Sequence, residues 1–485
     1  MTDAAHGVGI EVDGAVDGAV DLDVDVAVIG AGVVGTATAR LLARHDLRVA
    51  LIEAGRDVAS GVSKANTAIL HTGFDAAPGT VEARLVARGY ALVRAYAPGA
   101  GISIEETGAL LVAWDDEQLA GLPALAGKAR ANGYDATAML DVTELYAAEP
   151  NLGPSALGAM RVPGEHLVDP WTAPIAFATD AVANGAVLWR EAPVTAVRPS
   201  NDGHELTTPR GTVRARWIVN AAGLHGDEIH RMLGHDSFTI HPRRGELVVF
   251  DKLARPLLRH VLLPVPTATT KGVLVSPTVF GNVLLGPTAD EVDDRDATGS
   301  TSAGVEALLA KGRRILPALV DEEITAVYAG LRPATEQSDY RIECHADQRY
   351  LCLGGIRSTG LTASMAIAEE ALALLQAAGL DAAPRPADEL VEIALTPLGE
   401  AGHRPWHDGG VIVCHCERVT AGELTTACKS LVPAADLDGV RRRTRAMLGR
   451  CQGFACTGAV VTTVAQALGR SAEELLKVPR HGPLR

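Results

Sequence analysis

Val26-Ala27-Val28-Ile29, entered from Asp25, is an unbroken apolar run, the pattern of a strand buried on both faces rather than one with a face to water. It leads straight into Gly30-Ala31-Gly32-Val33-Val34-Gly35, after which Thr36 to Ala43 space their apolar residues as a helix does. A second run, Arg48-Val49-Ala50-Leu51-Ile52, closes on Glu53. Strand, glycines, helix, strand and acid in this order predict a βαβ unit with parallel strands. The pattern then becomes mixed: a polar loop over Ser60 to Gly79, a helix over Thr80 to Ala97, a strand over Thr107 to Ala113, and helices over Asp116 to Asn132 and Pro170 to Asn184. Between about Phe238 and Leu285, alternating runs such as Glu246 to Phe250 and Val283 to Leu285 suit an antiparallel sheet.

Two later apolar runs, Trp217 to Gly223 and Tyr350 to Gly354, return the chain to the first unit; the second continues through Ile356 to Thr362 into a helix that runs from Ser364 to Leu375. The fold class expected is therefore α/β: a Rossmann-like dinucleotide domain with an inserted antiparallel-sheet substrate domain of α+β character, assembled discontinuously over residues 25–378. Pro384, Pro386, Pro397 and Pro405 mark residues 379–410 as a connecting segment, and 411–478 as a further small helical domain. Residues 1–24, with Asp13, Asp17, Asp21 and Asp23 among scattered Gly and Ala, read as a disordered acidic tail rather than a signal peptide, having neither a basic nor an apolar region.

Composition narrows the picture. A chain of 485 residues exceeds one hydrophobic core, and 47% apolar with 21% charged residues is the balance of a globular protein. A formal net charge of -15 argues against nucleic acid as a partner, which demands clustered Lys and Arg. The longest apolar helical pattern, Thr362 to Leu380, carries Glu369 and Glu370 side by side, so no transmembrane segment is expected. These features predict a soluble cytoplasmic protein, or one peripheral to the inner membrane through partner subunits.

The glycines have separate tasks: Gly30 a tight turn, Gly32 a close approach of backbone to pyrophosphate, Gly35 close packing of helix on strand. The helix opening at Val33 and Val34 offers N–H groups and the positive end of its dipole to phosphate, and Glu53 can accept from ribose hydroxyls. Glycines alone do not separate FAD from a nicotinamide cofactor. The absence of a second Gly-x-Gly-x-x-Gly, and the segment Gly354 to Thr362 opening a helix where N–H groups can stabilise an anionic flavin edge, favour FAD.

Of seven cysteines, Cys414, Cys416, Cys428, Cys451 and Cys456 crowd the end of the chain, which points to metal before disulfides. Cys414 and Cys416 are separated by one residue, Cys451 and Cys456 by four. Four thiolates in two local pairs are the ligand set of a [2Fe-2S] cluster, with a tetrahedral zinc as the chief competitor. Cys428, inside a helical pattern, and Cys344 and Cys352 in the main body are assigned to packing.

From Asp25 to Ala378 the sequence resembles the D-amino-acid-oxidase superfamily, in particular its glycerol-3-phosphate dehydrogenase and L-2-hydroxyglutarate dehydrogenase branches. The resemblance rests on Gly30 to Gly35, on Ser63-Lys64-Ala65-Asn66-Thr67-Ala68-Ile69-Leu70-His71-Thr72-Gly73, on Val219 to Gly223, on Pro242-Arg243-Arg244-Gly245-Glu246, on Gly330-Leu331-Arg332-Pro333 and on Gly355 to Thr362. It departs from many relatives at Arg357, where they have an acid, and at Thr359, where they have proline. The resemblance extends the expected cofactor-binding set from Gly30, Gly32, Val33, Val34, Gly35 and Glu53 to Ser63, Asn66, Thr67, Val194, Ala222, Gly223, Gly355, Gly360, Leu361 and Thr362. The C-terminal residues Val413 to Glu417, Arg442 to Arg445 and Gly449 to Cys456 resemble the bacterioferritin-associated-ferredoxin-like domain of the large chain of anaerobic glycerol-3-phosphate dehydrogenases, which implies a [2Fe-2S] cluster on Cys414, Cys416, Cys451 and Cys456.

What the resemblance implies is an FAD-dependent dehydrogenase of a small anionic secondary alcohol, glycerol 3-phosphate ahead of a 2-hydroxy acid such as L-2-hydroxyglutarate, with electrons relayed through the cluster to an acceptor protein or quinone-linked subunits. Arg332, with a rigid fork suited to phosphate or carboxylate, is the expected substrate-anion residue. His71 is the expected general base. Arg244 and Lys271 can add positive charge to the substrate site, and Arg441 to Arg445 can dock a partner. An amino-acid or opine dehydrogenase, and a pure electron-relay component of a larger complex, are the alternatives.

Overall fold

The computed structural model describes residues 21–266, 272–399 and 410–476. Strand β1 (Leu22–Ile29) is central in an eight-stranded sheet, and from Val26 to Val28 its residues have no exposed surface. Helix α1 (Val33–Ala43) returns the chain to β2 (Val49–Ile52), parallel to β1. Gly30 (φ +100°) makes the turn, and Gly35 lets α1 lie on it: a Cβ there would stand 1.8 Å from the Gly30 carbonyl oxygen. The predicted βαβ unit is thus present, but it begins earlier than expected. Leu22 pairs with Val213, and Arg214 takes Asp21 at 2.7 Å and Asp23 at 3.9 Å, so residues expected in a tail are strand edge, their charges neutralised across the sheet. Residues 1–20 of that expected tail lie outside the described residues.

Helix α2 (Val81–Ala100) is capped by Thr80, whose hydroxyl accepts from the Ala83 N–H, and ends at left-handed Gly101. After α3 (Thr172–Ala183), strand β3 (Gly211–Asn220) pairs parallel to β1 on the side away from β2. Helix α4 (Gly226–Met232) follows, and the chain leaves for a nine-stranded second sheet built around β4 (His241–Phe250) and β5 (Ile324–Ala334), antiparallel from His241 opposite Ala334 to Phe250 opposite Ile324. One pairing departs from the antiparallel expectation: Val261–Pro264 lies parallel to Ala109–Ala113. A long excursion rather than a hairpin joins these strands, and only a short connection enforces reversal. The chain then returns through β6 (Arg341–His345) and β7 (Tyr350–Gly354), the latter parallel to β3, and into α5 (Gly360–Ala377). Gly89 of α2 brings that helix against α5, since a Cβ there would stand 2.3 Å from the Thr362 carbonyl oxygen.

The described part of the expected connecting segment, 379–399, is a packed strap. Arg385 donates to the carbonyls of Ala43 and Asn184, the Leu395 N–H donates to Ala100, and Leu398 is buried. Residues 400–409 lie outside the described residues.

The C-terminal domain has its own core, with Val419, Leu424, Val440, Val460 and Val464 fully buried among the hairpin Ile412–Cys414/Val419–Thr420 and helices α6 (Ala421–Lys429), α7 (Leu437–Thr444) and α8 (Thr457–Leu468). It docks on the loop after β2. The Asp57 carboxylate, with no exposed surface, accepts from Arg442 at 2.8 Å and from Arg443 at 2.9 Å, and Arg190 of the main body stands 3.4 Å away. Gly439 admits this approach, since a Cβ would stand 2.2 Å from Asp57 Oδ2. Arg445 donates to Glu417 at 2.9 Å, and Lys252 holds the same carboxylate. The expected use of Arg441 to Arg445 as a partner-docking patch is therefore corrected: Arg442 and Arg445 are buried and the Arg443 side chain is covered, because they clamp the domain to its own chain. Among the described residues, no helix is long and apolar enough to cross a membrane.

Candidate active site

Above the first βα turn the glycines leave an open cradle. A Cβ on Gly32 would meet only Ser63 Oγ, at 3.3 Å, and one on Gly223 would meet nothing within 4 Å, whereas Gly30 is pressed against Ala221. The first N–H groups of α1 point to this space, where helix geometry leaves them without carbonyl partners. Ser63 Oγ accepts from the Val33 N–H at 2.9 Å, so the predicted loop does reach the predicted helix start. Val34 flanks it, half-buried. Val194 packs with Ile29, Ile52 and Trp189, at the same edge of the sheet. Glycines that leave open space at the start of a helix fit the phosphates of a dinucleotide.

Glu53 is oriented by the turn itself: Oε2 accepts from the Ala31 N–H and Oε1 from the Gly55 N–H, both at 2.7 Å. Burial pushes its carboxyl above the usual carboxylate range, against the effect of those two donors. The expected ribose acceptor is thus also a clasp between both strand ends.

The Ser63 to Thr67 loop lies between the two sheets. The Asn66 side chain closes it on itself, its Nδ2 donating to Ser63 O and its Oδ1 accepting from the Ala68 N–H; half-buried Thr67 stands between. Tyr328 of β5 donates to Asn66 O at 2.8 Å, and Gly330 faces Ala65, where a Cβ would stand 2.4 Å from the Ala65 carbonyl oxygen. Strand alternation puts Arg332 on this same face. Its guanidinium lies over Gly245, where a Cβ would meet Nη2 at 2.8 Å. Among the described residues no carboxylate is within ion-pair distance of Arg332; burial, and then Arg243 opposite it, push its pKa down from the ordinary arginine value.

Arg244 lies on the other face of β4, its Nε 3.3 Å from buried Glu246, so it is part of a structural pair and is not brought to Arg332. The expected grouping of Arg244 with Arg332 is therefore not found: one residue along a strand reverses the face. Lys271 lies outside the described residues.

At the far end of the loop His71 docks on α5, its backbone N–H donating to Thr362 Oγ1 at 3.0 Å. Its ring Nδ1 stands 2.8 Å from Oε2 of Glu165, a carboxylate with no exposed surface. Glu165 Oε1 accepts from the Thr72 N–H at 2.6 Å and the Thr72 hydroxyl at 2.8 Å. A carboxylate accepts, so Nδ1 carries the ring proton and Nε2 is the basic nitrogen. Sequence reasoning missed Glu165, since it follows Gly164 in a turn with no local signature. Gly355 (φ +65°) makes the bend before α5, Gly360 starts the helix against Ile356, and Leu361 packs beside Val33 and Val34.

The four cysteines come together. Cys416 neighbours Cys451 and Cys414, Cys451 neighbours Cys456, and Cys456 neighbours Cys414. Gly449 brings the two cysteine loops into contact; a Cβ there would stand 2.4 Å from that of Cys416. The Ala455 N–H, helped by the Cys416 side chain and the Gly453 N–H and opposed by burial, leaves the Cys451 thiol below its ordinary pKa. Arg445, Met447 and Gln452 are left-handed although none is glycine, a concentration of backbone strain around the thiols, and Gly453 beside them takes a positive φ without strain. On the inner side, Arg445 covers the Phe280 ring at 4.1 Å, Phe280 stacks on Trp171 at 4.9 Å, and the Trp171 indole N–H donates to Lys64 O in the Ser63 to Thr67 loop. On the outer side Cys416 is exposed and Phe454 is 97% exposed. As expected, Cys428 and Cys352 are buried and serve packing, and Cys344 is half-buried.

Residues 25–374 match the family model described as DAO, FAD dependent oxidoreductase. A glycerol 3-phosphate dehydrogenase from Caloramator mitchellensis is 33% identical over 93% of this chain and 96% of its own length. A component of the anaerobic glycerol-3-phosphate dehydrogenase of Escherichia coli K12 is 28% identical over 89% of this chain and 86% of its own. Among solved structures, a dithionite-reduced L-alpha-glycerophosphate oxidase from Mycoplasma pneumoniae with FAD bound is 29% identical, with a TM-score of 0.73 over 77% of this chain and 99% of its own.

Proposed function

This chain belongs to the family of FAD-dependent oxidoreductases, and we propose that it oxidises the secondary alcohol of glycerol 3-phosphate and delivers the electrons to an external acceptor by way of a [2Fe-2S] centre in its C-terminal domain. The observation that carries the substrate reading is Arg332: a half-buried guanidinium without an acidic partner among the described residues, on the sheet face that meets the Ser63 to Thr67 loop. Its fork suits the two oxygens of a phosphate.

His71 Nε2 takes the hydroxyl proton while Glu165 holds Nδ1–H and stabilises the imidazolium that results. Thr72 fixes Glu165, so the pair needs no reorganisation as charge develops. Gly30, Gly32, Val33, Gly35, Glu53 and Ser63 would hold the dinucleotide, and the start of α5 at Gly360, Leu361 and Thr362 would face the flavin. When bound, FAD supplies a two-electron acceptor for the alcohol carbon.

The relay reading is supported by place and by extent. The cysteine loops lie between an aromatic contact that leads to the Ser63 to Thr67 loop and an exposed rim at Cys416 and Phe454. The similar oxidase is spanned by 77% of this chain, whereas the two similar dehydrogenases extend over 93% and 89% of it. A pair of irons on four thiolates supplies one-electron transfer. The Escherichia coli relative is one subunit of its dehydrogenase, which supports partner subunits as the electron acceptor here.

The test is anaerobic mixing of the purified protein with glycerol 3-phosphate, read by flavin absorbance and by the electron paramagnetic resonance of a reduced cluster. Both signals are expected, and C456S should keep the bleaching and lose the resonance. Bleaching by amino acids alone would reject the substrate reading; zinc in place of iron at full thiol occupancy would reject the relay.

A further inference from the structure

Away from both sites, three histidines converge where α4 meets the β6–β7 hairpin. His230 sits in α4, His235 in the loop after it, and His345 ends β6; one ring nitrogen from each lies within 4.8 Å of the others. The His235 and His345 rings stack with centroids 3.8 Å apart, and His230 and His235 at 4.8 Å. His230 is fully buried and the other two are half-buried, which leaves a way in from solvent. His345 Nε2 is itself buried and makes no hydrogen bond, with Glu343 Oε2 3.8 Å from it. His235 Nε2 stands 2.7 Å from Gln348 Oε1, so that nitrogen is the protonated one and Nδ1 carries the lone pair. His230 is aimed by Tyr350 Oη at 2.9 Å from Nδ1 and by Ser237 Oγ at 3.0 Å from Nε2. Arg341, a cation beside the group, is held by Glu343 at 2.6 Å and Gln337 at 2.7 Å.

Packing alone accounts poorly for this arrangement, since a buried ring nitrogen with no partner costs free energy that an apolar residue would not. We propose that His230, His235 and His345 form a binding site for a divalent transition ion of the zinc class, with Glu343 as the neighbouring carboxylate. Three imidazoles are a borderline-soft nitrogen set suited to zinc, copper or nickel rather than to magnesium or calcium. Bonds of about 2.0–2.1 Å would draw the nitrogens closer than they stand, a movement within reach of half-exposed rings. Gln348 and Tyr350 are the outer partners that orient such ligands, and Ser237 Oγ, which sits on the other His230 nitrogen, would give way to the ion. The ion would tie α4 to the β6–β7 hairpin. From there Tyr350 is bonded to Asn220, and Asn220 Oδ1 accepts from the Ala222 N–H, so the clamp bears on the Ala222–Gly223 end of the dinucleotide cradle.

The experiment is titration of the full-length protein, flavin and cysteine site loaded as isolated, with Zn²⁺ and with Co²⁺. One ion per chain is expected, with a raised melting temperature and a cobalt difference spectrum that has ligand-field bands but no thiolate charge-transfer band. H235N and H345N, both at half-exposed positions, should each weaken binding on the order of 10-fold or more while flavin content stays unchanged. C416S should leave it intact. Absence of saturable binding, binding that survives H235N and H345N, or a thiolate band that C416S abolishes would each overturn the proposal.

Discussion

A half-buried guanidinium with no carboxylate beside it loses part of its hydration without compensation unless an anion arrives to share the site, and Arg332 is so placed among the described residues. R332Q is expected to raise KM for glycerol 3-phosphate and cut kcat/KM by roughly 10- to 100-fold, the scale of a lost charged hydrogen-bond pair at about 1.5–3 kcal/mol. R332K should recover only part, because a point charge does not reproduce the fork. Unchanged steady-state constants in R332Q would remove Arg332 from the substrate site. At the base, E165Q keeps the size of the side chain but not the charge that supports the His71 imidazolium. Its kcat should fall on the order of 10²–10⁴, with flavin stoichiometry intact; single-turnover bleaching measures this directly. The motifs around Arg332 and His71 carried the expectation for both, whereas Glu165 was not foreseen. His71 had the family's loop around it, but Glu165 reaches it only because Ile69–Leu70 pairs with His166–Val168 in a small sheet.

Elements meet through absent side chains. A Cβ at Gly35 would overlap the Gly30 carbonyl oxygen at 1.8 Å, so G35A must push α1 off β1, and the variant should purify with flavin well below one per chain. The C-terminal domain depends on a buried charge instead. Burial alone would raise the Asp57 carboxyl, but Arg443, then Arg442 and Arg190, hold it below the usual carboxylate range. A folded-state value below the unfolded one means that the stabilisation is fully present above the unfolded value, about pH 4, and is lost as pH falls through the folded value. Docking should therefore weaken in acid below about pH 4. D57N should remove that acid step and cost about 3–5 kcal/mol at neutral pH, because the guanidinium groups stay buried without their counter-charge. Denaturant melts of both proteins across pH would show it, and coincident curves would contradict the clamp.

For the whole molecule, a similar oxidase fits within 77% of this chain, so the residues up to 399 are expected to fold and bind flavin without the cysteine domain. Such a truncated chain should still bleach with glycerol 3-phosphate but reduce a one-electron dye more slowly than the full protein; equal rates would argue against a relay. What the sequence determined by itself was local and ordered along the chain. The β1–α1–β2 unit, the glycine cradle and the cysteine pairs are legible because contiguous residues create them: a backbone turn needs its glycines in place, and apolar periodicity follows the helix or strand that carries it. Boundaries were less legible, since Asp21 and Asp23 look like a solvated tail until Arg214 is known to lie across the sheet from them. Long-range pairing was decided only by the tertiary structure. It put Arg244 on the face of its strand opposite to Arg332, turned Arg442, Arg443 and Arg445 inward to Asp57 and Glu417, and gathered His230, His235 and His345 from a helix, a loop and a strand. A charge has no direction in a sequence; its partner is fixed by the fold, and so is whether it binds a ligand, a neighbouring domain or water.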